Sequence, residues 1–546
     1  MIPLPAWLKI LRRKWQFLAN PEEWQMRLLG LHASEEPSTR RGLMLIQIDG
    51  LSYPDLERAI GRKHLPFLSR LMHREHYRLW PLFSGIPSNT PAFQGEFFFG
   101  KAQCVPAFQY RDHASSEIFT MFDKSSAAEM EKRLLEQGEA LLAGGSAYCD
   151  IFAGGAAESH ICASTADLGS VLKAWNPYSL LVTFLVNPYA MIRGIVLCLT
   201  ESVLAMADVL RGVMKGHDIR QELLFIFTRV FSSILFREIA TAHAQMDIYR
   251  GLPAIHVNYF GYDEQAHRRG PSTRFAYWSL SGIDNAAQKI GRAAIRARRR
   301  HYDVWIYSDH GQEKTVPFLK ITGKQLQQAV REIYNETHRE GLCPGPECPV
   351  SSRGEWAYMA VGKQREAGEK KAEDKTQPVV TTLGPIAQIY FPEPFTDDEK
   401  RIFAKNLREK YPGIPLIAVP LAGGEVEYET QKGSFRLPED AKKILGADHP
   451  YLAAAAKDLE CLLQHESRGD LVLFGWAHGS EAISFSNECG AHAGLGPRET
   501  QAFALLPAGT PLEKTPGDCI RAGDLRRAAF EVLGKVDEIG KGVKYA

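Results

Sequence analysis

The stretch that most constrains this chain is Val304-Trp-Ile-Tyr-Ser-Asp309-His310-Gly311. It reads as a buried strand that stops abruptly at a carboxylate and an imidazole. Residues 304–307 are apolar and β-prone, and Gly311 lets the backbone turn sharply. Asp309 and His310 then stand at the carboxyl end of a strand, where open α/β sheets place their sites. On its own, Ser-Asp-His-Gly is equally a turn with a solvated histidine. Its weight comes from other stretches that end the same way.

Residues 43–48, Leu-Met-Leu-Ile-Gln-Ile, form a near-continuous apolar run ending at Asp49-Gly50. A parallel strand covered on both faces reads like this. Residues 66–72 fit the helix that follows. In Phe83-Ser-Gly-Ile-Pro-Ser-Asn-Thr90-Pro-Ala92, small residues and two prolines bring a hydroxyl to a turn into a helix. Thr90 is therefore a candidate nucleophile beside a helix N-terminus, where free N–H groups attract phosphate. Read alone, it serves equally well as the N-cap. Residues 254–260 are another strand, followed by Asp263-Glu-Gln-Ala-His267. Four residues apart on one helical turn, Asp263 and His267 face the same way and can grip one ion. A helix over about 272–300 leads back to the Asp309 strand. This alternation of strands and helices predicts a mostly parallel sheet with helices on both faces. His492, in Gly490-Ala-His-Ala-Gly-Leu-Gly-Pro497 before an apolar strand at 501–506, reads alone as a loop histidine satisfied by its neighbours.

With 546 residues, 45% hydrophobic and 24% charged, the chain can bury a large core. The expected division is an arm and linker (1–41), a first core part (42–174), an apolar helical insertion (175–250) and a second core part (251–340). A cap or α+β subregion with a core strand near 384–391 (341–470) and the core's end with a C-terminal helix (471–546) complete it. A net charge of +1 and the lack of a basic tract give no support for nucleic acid as a partner. Nine cysteines in so long a chain make no disulfide framework. Cys343 and Cys348 flank Pro-Gly-Pro-Glu without a second pair, which is poor support for a structural zinc.

No basic start followed by a separate apolar run marks a secretory signal. Trp7, Leu11, Trp15 and Leu18 recur at helical spacing beside Lys9, Arg12, Arg13 and Lys14. Such a helix can lie on an anionic membrane surface or pack on its own domain. The insertion has apolar runs at 178–186, 194–199 and 223–231, but Asn187, Pro188 and Arg193 interrupt the first. It lacks a clean stretch of about 20 residues to span a bilayer. A helical cap or dimer surface and a membrane-surface hairpin remain as readings. The expected location is the cytoplasm, with peripheral contact to the inner face of the membrane through 1–20 and 175–245 as a variant.

Together the ligand candidates are Asp49, Thr90, Asp263, His267, Asp309, His310 and His492. Oxygen and imidazole without thiolate suit zinc, or manganese, held for catalysis. There are enough of them for two adjacent ions, and ions about 4 Å apart stabilise both oxygens of an in-line phosphoryl displacement.

Asp-Gly after the first strand, Thr in a small-residue turn, Asp-x-x-x-His, Asp-His-Gly and a late His in a glycine-rich loop resemble the alkaline phosphatase superfamily. The nearest branch is the type I phosphodiesterase/nucleotide pyrophosphatases. The resemblance covers about 42–320 and 380–508. It implies that Asp49, Thr90, Asp309 and His310 hold one ion and that Asp263, His267 and His492 hold the other. Thr90 would form a covalent phosphoryl-enzyme, released by water activated at the second ion. An asparagine that the pyrophosphatases place after the nucleophile helix has no match, since Phe108 stands there; Asn89, Gln109 and Arg111 are the candidate substitutes. The implied activity is that of a two-metal phosphodiesterase or nucleotide pyrophosphatase on a phosphoester substrate. Alternatives are a phosphomonoesterase or lipid headgroup phosphotransferase of the same superfamily, and an inactive metal-binding scaffold. A sulfatase is disfavoured, because no Cys or Ser followed by x-Pro-x-Arg occupies the nucleophile turn.

Overall fold

The computed structural model describes residues 26–35, 39–166, 188–214, 230–337, 376–515 and 518–535. The basic arm at 1–20, the Cys343/Cys348 pair and the apolar runs at 178–186 and 223–229 lie outside the described residues. The central sheet is built from β1 (Gly42–Ile48), β2 (Tyr77–Phe83), β3 (Ser146–Tyr148), β4 (Glu158–His160), β5 (Ala254–Tyr259), β6 (Tyr302–Tyr307), β7 (Gln501–Pro507) and β8 (Ile520–Arg521). Their spatial order is β8-β2-β7-β6-β1-β5-β3-β4. Only β7 runs against its neighbours β2 and β6; the other pairings are parallel. Parallel neighbours need crossover connections, and the intervening helices supply them.

Every residue of β1 and β5 is buried, as the apolar runs predict for strands covered on both faces. Register pairs Gln47 with Asn258 on one side and Tyr307 on the other. Side chains alternate along a strand, so Gln47, Asn258, His256 and Tyr307 share one face, and Asp49 and Asp309 continue it past the strand ends. Over this face lies α1 (Thr90–Phe99), which is buried throughout. Most of its side chains are apolar, and the two polar ones after Thr90 are hydrogen-bonded, Gln94 donating to Asp150 and Glu96 accepting the Gly523 N–H. Its Phe93 and Phe97 rings pack 5.8 and 5.4 Å from Tyr307.

The insertion contributes α2 (Pro188–Met214), one π-helical turn at Phe231–Phe236, and α3 (Arg237–Arg250). After β5 come α4 (Gly261–Arg269) and α5 (Arg274–Arg296). Ala276, Leu280, Ile283, Ala287, Ile290 and Ala294 recur at three- and four-residue steps and form the buried stripe of α5. Thr273 caps it by accepting the Ala276 N–H. The outer side of α2 is different. Ile192, Ile195, Val196, Leu199, Val203 and Met206 are each 53–65% exposed along one side of the helix. On its inner side Arg193 pairs with Glu238, and Glu201 accepts the Trp278 indole N–H at 2.8 Å. Among the described residues, no helix is long and apolar enough to cross a membrane.

A second, antiparallel sheet has the spatial order Val379–Leu383, Ile386–Tyr390, Leu471–Phe474, Leu416–Pro420, Val426–Thr430, Gly433–Phe435. The strand expected to join the core near 384–391 belongs here. Its hydrogen bonds go to 379–383 and 471–474 instead. An apolar run reads alike whichever sheet it fills. Helix Asp397–Lys410 covers part of this region and opens with a capping box between Thr396 and Glu399.

Candidate metal centre

The structure gathers the candidates at the carboxyl ends of β1, β5 and β6, as two clusters. Asp49, Asp309 and His310 form one, and Asp263, His267 and His492 the other. Within each, one donor atom per residue lies within 4.8 Å of the others, and all six residues are buried. The clusters abut, with the His310 and His492 rings stacked at 3.6 Å between centroids. Asp263 and His267 sit on α4, whose pitch brings His267 Nε2 to 3.0 Å from Asp263 Oδ2. Gly50, at φ +72°, makes the closeness possible, because a Cβ there would overlap the Asp263 carboxylate.

The three histidines share one arrangement. Nδ1 of His310 donates to the Gly311 carbonyl at 3.0 Å, that of His267 to Gly490 at 2.7 Å, and that of His492 to Ser88 at 3.0 Å. A carbonyl can only accept, so each Nδ1 carries the proton and each Nε2 is left to turn inward. His310 Nε2 faces Asp49 Oδ1 and Asp309 Oδ2, both at 3.3 Å. His492 Nε2 faces Asp263 Oδ1 at 3.7 Å. Neither carboxylate oxygen of Asp309 accepts a hydrogen bond, nor does Oδ1 of Asp49. Burial and then the Asp49 charge push the Asp309 carboxyl up to about 8. Burial works against a charged His310, but Asp309 and Asp49 outweigh it and raise this imidazole to about 9. Buried, unpaired oxygens crowded against inward-facing imidazole nitrogens are costly unless a cation sits among them. Those oxygens belong to Asp49 and Asp309, and that cluster fits a divalent ion; in the other, where Gln312 donates to Asp263, it is the donor chemistry of one carboxylate and two imidazoles that fits one.

Thr90 opens α1 with its hydroxyl 3.2 Å from His310 Nε2. The N-cap is Asn89, whose Oδ1 accepts the Ala92 N–H at 2.9 Å. The Thr90 hydroxyl is thus free of the capping role that its sequence position also allowed. The helix start offers an anion less than expected. Pro91 has no N–H and Ala92 donates to the cap, which leaves the Thr90 amide. Asn89 Nδ2 is fully buried without a hydrogen-bond partner.

Gln109 and Arg111 lie on a hairpin of Gln109–Arg111 with Ile118–Thr120. Gln109 donates to Thr120 Oγ1 and accepts from the Thr382 amide, and Arg111 Nε donates to Ser116 O. Both side chains are engaged in holding that hairpin. Phe108, just before it, presents its ring 6.2 Å from the His492 ring.

Residues not singled out from sequence complete the centre. Asn258 donates to Asp49 Oδ2 at 2.8 Å, and Gln312 donates to the Asp263 carboxylate. Glu488 Oε2 lies 3.7 Å from His267 Nδ1. A polar residue inside a buried strand, as Asn258 is, was the signal available for the first.

No family model matches the sequence, and no curated protein matches it. Among solved structures the chain is similar to phosphonoacetate hydrolase from Sinorhizobium meliloti 1021 in complex with phosphonoformate. That match has 14% identity and a TM-score of 0.47, covering 91% of this chain and 96% of the other. The same enzyme with phosphonoacetate gives 12% identity, a TM-score of 0.46 and the same coverage. Murine ectonucleotide pyrophosphatase/phosphodiesterase 5, an inactive form with AMP, gives 9% identity and a TM-score of 0.45, again over 91% and 96%.

Proposed function

We propose that this protein is a two-metal hydrolase of phosphoric esters, a phosphodiesterase or nucleotide pyrophosphatase with Thr90 as nucleophile. One observation carries the reading: three buried imidazoles, each locked by its Nδ1–H, turn Nε2 toward the carboxylates of Asp49, Asp309 and Asp263, with the Thr90 hydroxyl 3.2 Å from one of those nitrogens. Asp49, Asp309, His310 and Thr90 would hold one divalent ion, and Asp263, His267 and His492 the other, with zinc the best match to these donors and manganese the next. Bound ions supply positive charge to the attacking and leaving oxygens of an in-line displacement.

The chain's own groups do the rest. The Thr90 hydroxyl gives its proton to solvent as the Oγ–phosphorus bond forms and the ester P–O bond breaks, and the leaving oxygen takes one proton back from solvent. Water then cleaves the Thr90 phosphoryl bond and restores the hydroxyl. The Thr90 amide and Asn89 Nδ2, which is buried without a hydrogen-bond partner, would donate to phosphoryl oxygens. The exposed apolar side of α2 favours, as a second reading, a lipid phosphoester at a membrane's inner face.

The test is hydrolysis of a nitrophenyl phosphodiester beside the matching monoester, with zinc or manganese, for wild type and Thr90→Ala. Faster diester turnover that falls roughly 10³-fold or more in Thr90→Ala, with metal retained, supports the reading. Faster monoester turnover makes the protein a phosphomonoesterase. Two bound metals without turnover of either ester point to headgroup transfer or a scaffold.

A further inference from the structure

Glu499 lies just before β7, fully buried, and takes no part in either metal cluster. Its Oε2 accepts the Gly494 N–H at 2.8 Å, and its Oε1 accepts the Gly496 N–H at 2.7 Å. The Ser88 hydroxyl stands 3.4 Å from Oε2. Its main-chain carbonyl accepts the Gly311 N–H at 2.8 Å. One residue thus touches three of the segments that carry the centre: the nucleophile turn, the Asp309–His310 turn and the His492 loop. Ser88 extends the link. Its Oγ accepts the Ala493 N–H at 3.2 Å, and its carbonyl receives the His492 Nδ1 proton.

The glycines of the loop leave room for two glutamates, Gly494 for Glu499 and Gly496 for Glu313. A Cβ at Gly494 would lie 2.8 Å from Glu499 Oε1, and one at Gly496 would lie 2.6 Å from Glu313 Cγ. Both backbone donors also need an acceptor, which an amide NH2 cannot provide.

Resting on the two-metal reading, we infer that Glu499 is a positioning residue. It sets His492 within the Asp263–His267 cluster and locks that cluster to the turn presenting Thr90. The experiment titrates the full-length apo-protein with zinc against a chromophoric chelator for wild type, Glu499→Gln, Ser88→Ala, His492→Ala and Glu499→Gln/His492→Ala. Circular dichroism and thermal melts of the metal-free proteins accompany it.

The expected result is two ions in wild type, and weakening of one of them by about 10- to 100-fold in Glu499→Gln. Ser88→Ala, which removes only a hydroxyl, weakens the same ion less. In the double variant Glu499→Gln adds nothing to His492→Ala, because it acts through that ring. Wild-type affinity for both ions in Glu499→Gln overturns this assignment alone. So does a further loss on top of His492→Ala, or weakening fully matched by collapse of the metal-free melt while Ser88→Ala binds normally. A wild-type protein that takes up no zinc overturns the two-metal reading, and this assignment with it.

Discussion

Asp49 shows how much of the centre depends on residues that bind nothing themselves. One of its oxygens is held by the Asn258 amide, which leaves the other facing His310. Without that amide the carboxylate can rotate, and the cluster loses its preset geometry. Asn258→Ala is therefore expected to weaken one of two zinc ions by about 10- to 100-fold while the other binds normally. Chelator-competition titration reads this directly, and equal affinities for wild type and variant would refute it. Thr90 makes the complementary point. Its hydroxyl is available because the neighbouring Asn89 took the cap.

The helices differ in what holds them. In α5 a continuous stripe is buried, and the helix is an integral part of the core. By contrast α2 buries only Ala205 and Val209 among its described aliphatic side chains, adds polar contacts from Arg193 and Glu201, and turns an aliphatic outer side to solvent. Exposed side chains contribute little to stability, so Leu199→Ser and Val203→Ser should each change it by no more than about 0.5 kcal/mol. Denaturant unfolding measures this, and a cost of several kcal/mol for either would mean the face is covered. Phe97→Ala in α1 is the contrast, expected to cost about 3–5 kcal/mol because the ring is fully buried among Phe93, Phe98 and Tyr307.

For the molecule as a whole, the site is a stability liability without cations, since unpaired carboxylates share a buried space. Ions that bind only the folded chain repay this by mass action, about 4 kcal/mol at a thousandfold excess over the dissociation constant. Zinc or manganese should raise the melting temperature of chelator-treated protein by several degrees, with magnesium less effective. A melt unmoved by either metal would contradict the proposed centre.

What the sequence determined by itself is local. An apolar run ending in Asp reads as a strand with a candidate ligand at its end, because both features lie within a few residues. The five strands and helices nearest the site, β1, α1, β5, α4 and β6, were legible for that reason. What only the tertiary structure decided joins distant segments. Asn258 reaches Asp49 across 209 positions, and Ser88 meets Glu499 across 411. The pairing of Gln109–Arg111 in a hairpin, and of 386–390 in the second sheet, was settled in the same way. A buried polar side chain or an edge-to-edge strand pairing satisfies its hydrogen bonds wherever packing brings a partner, and sequence order carries no mark of which partner that is.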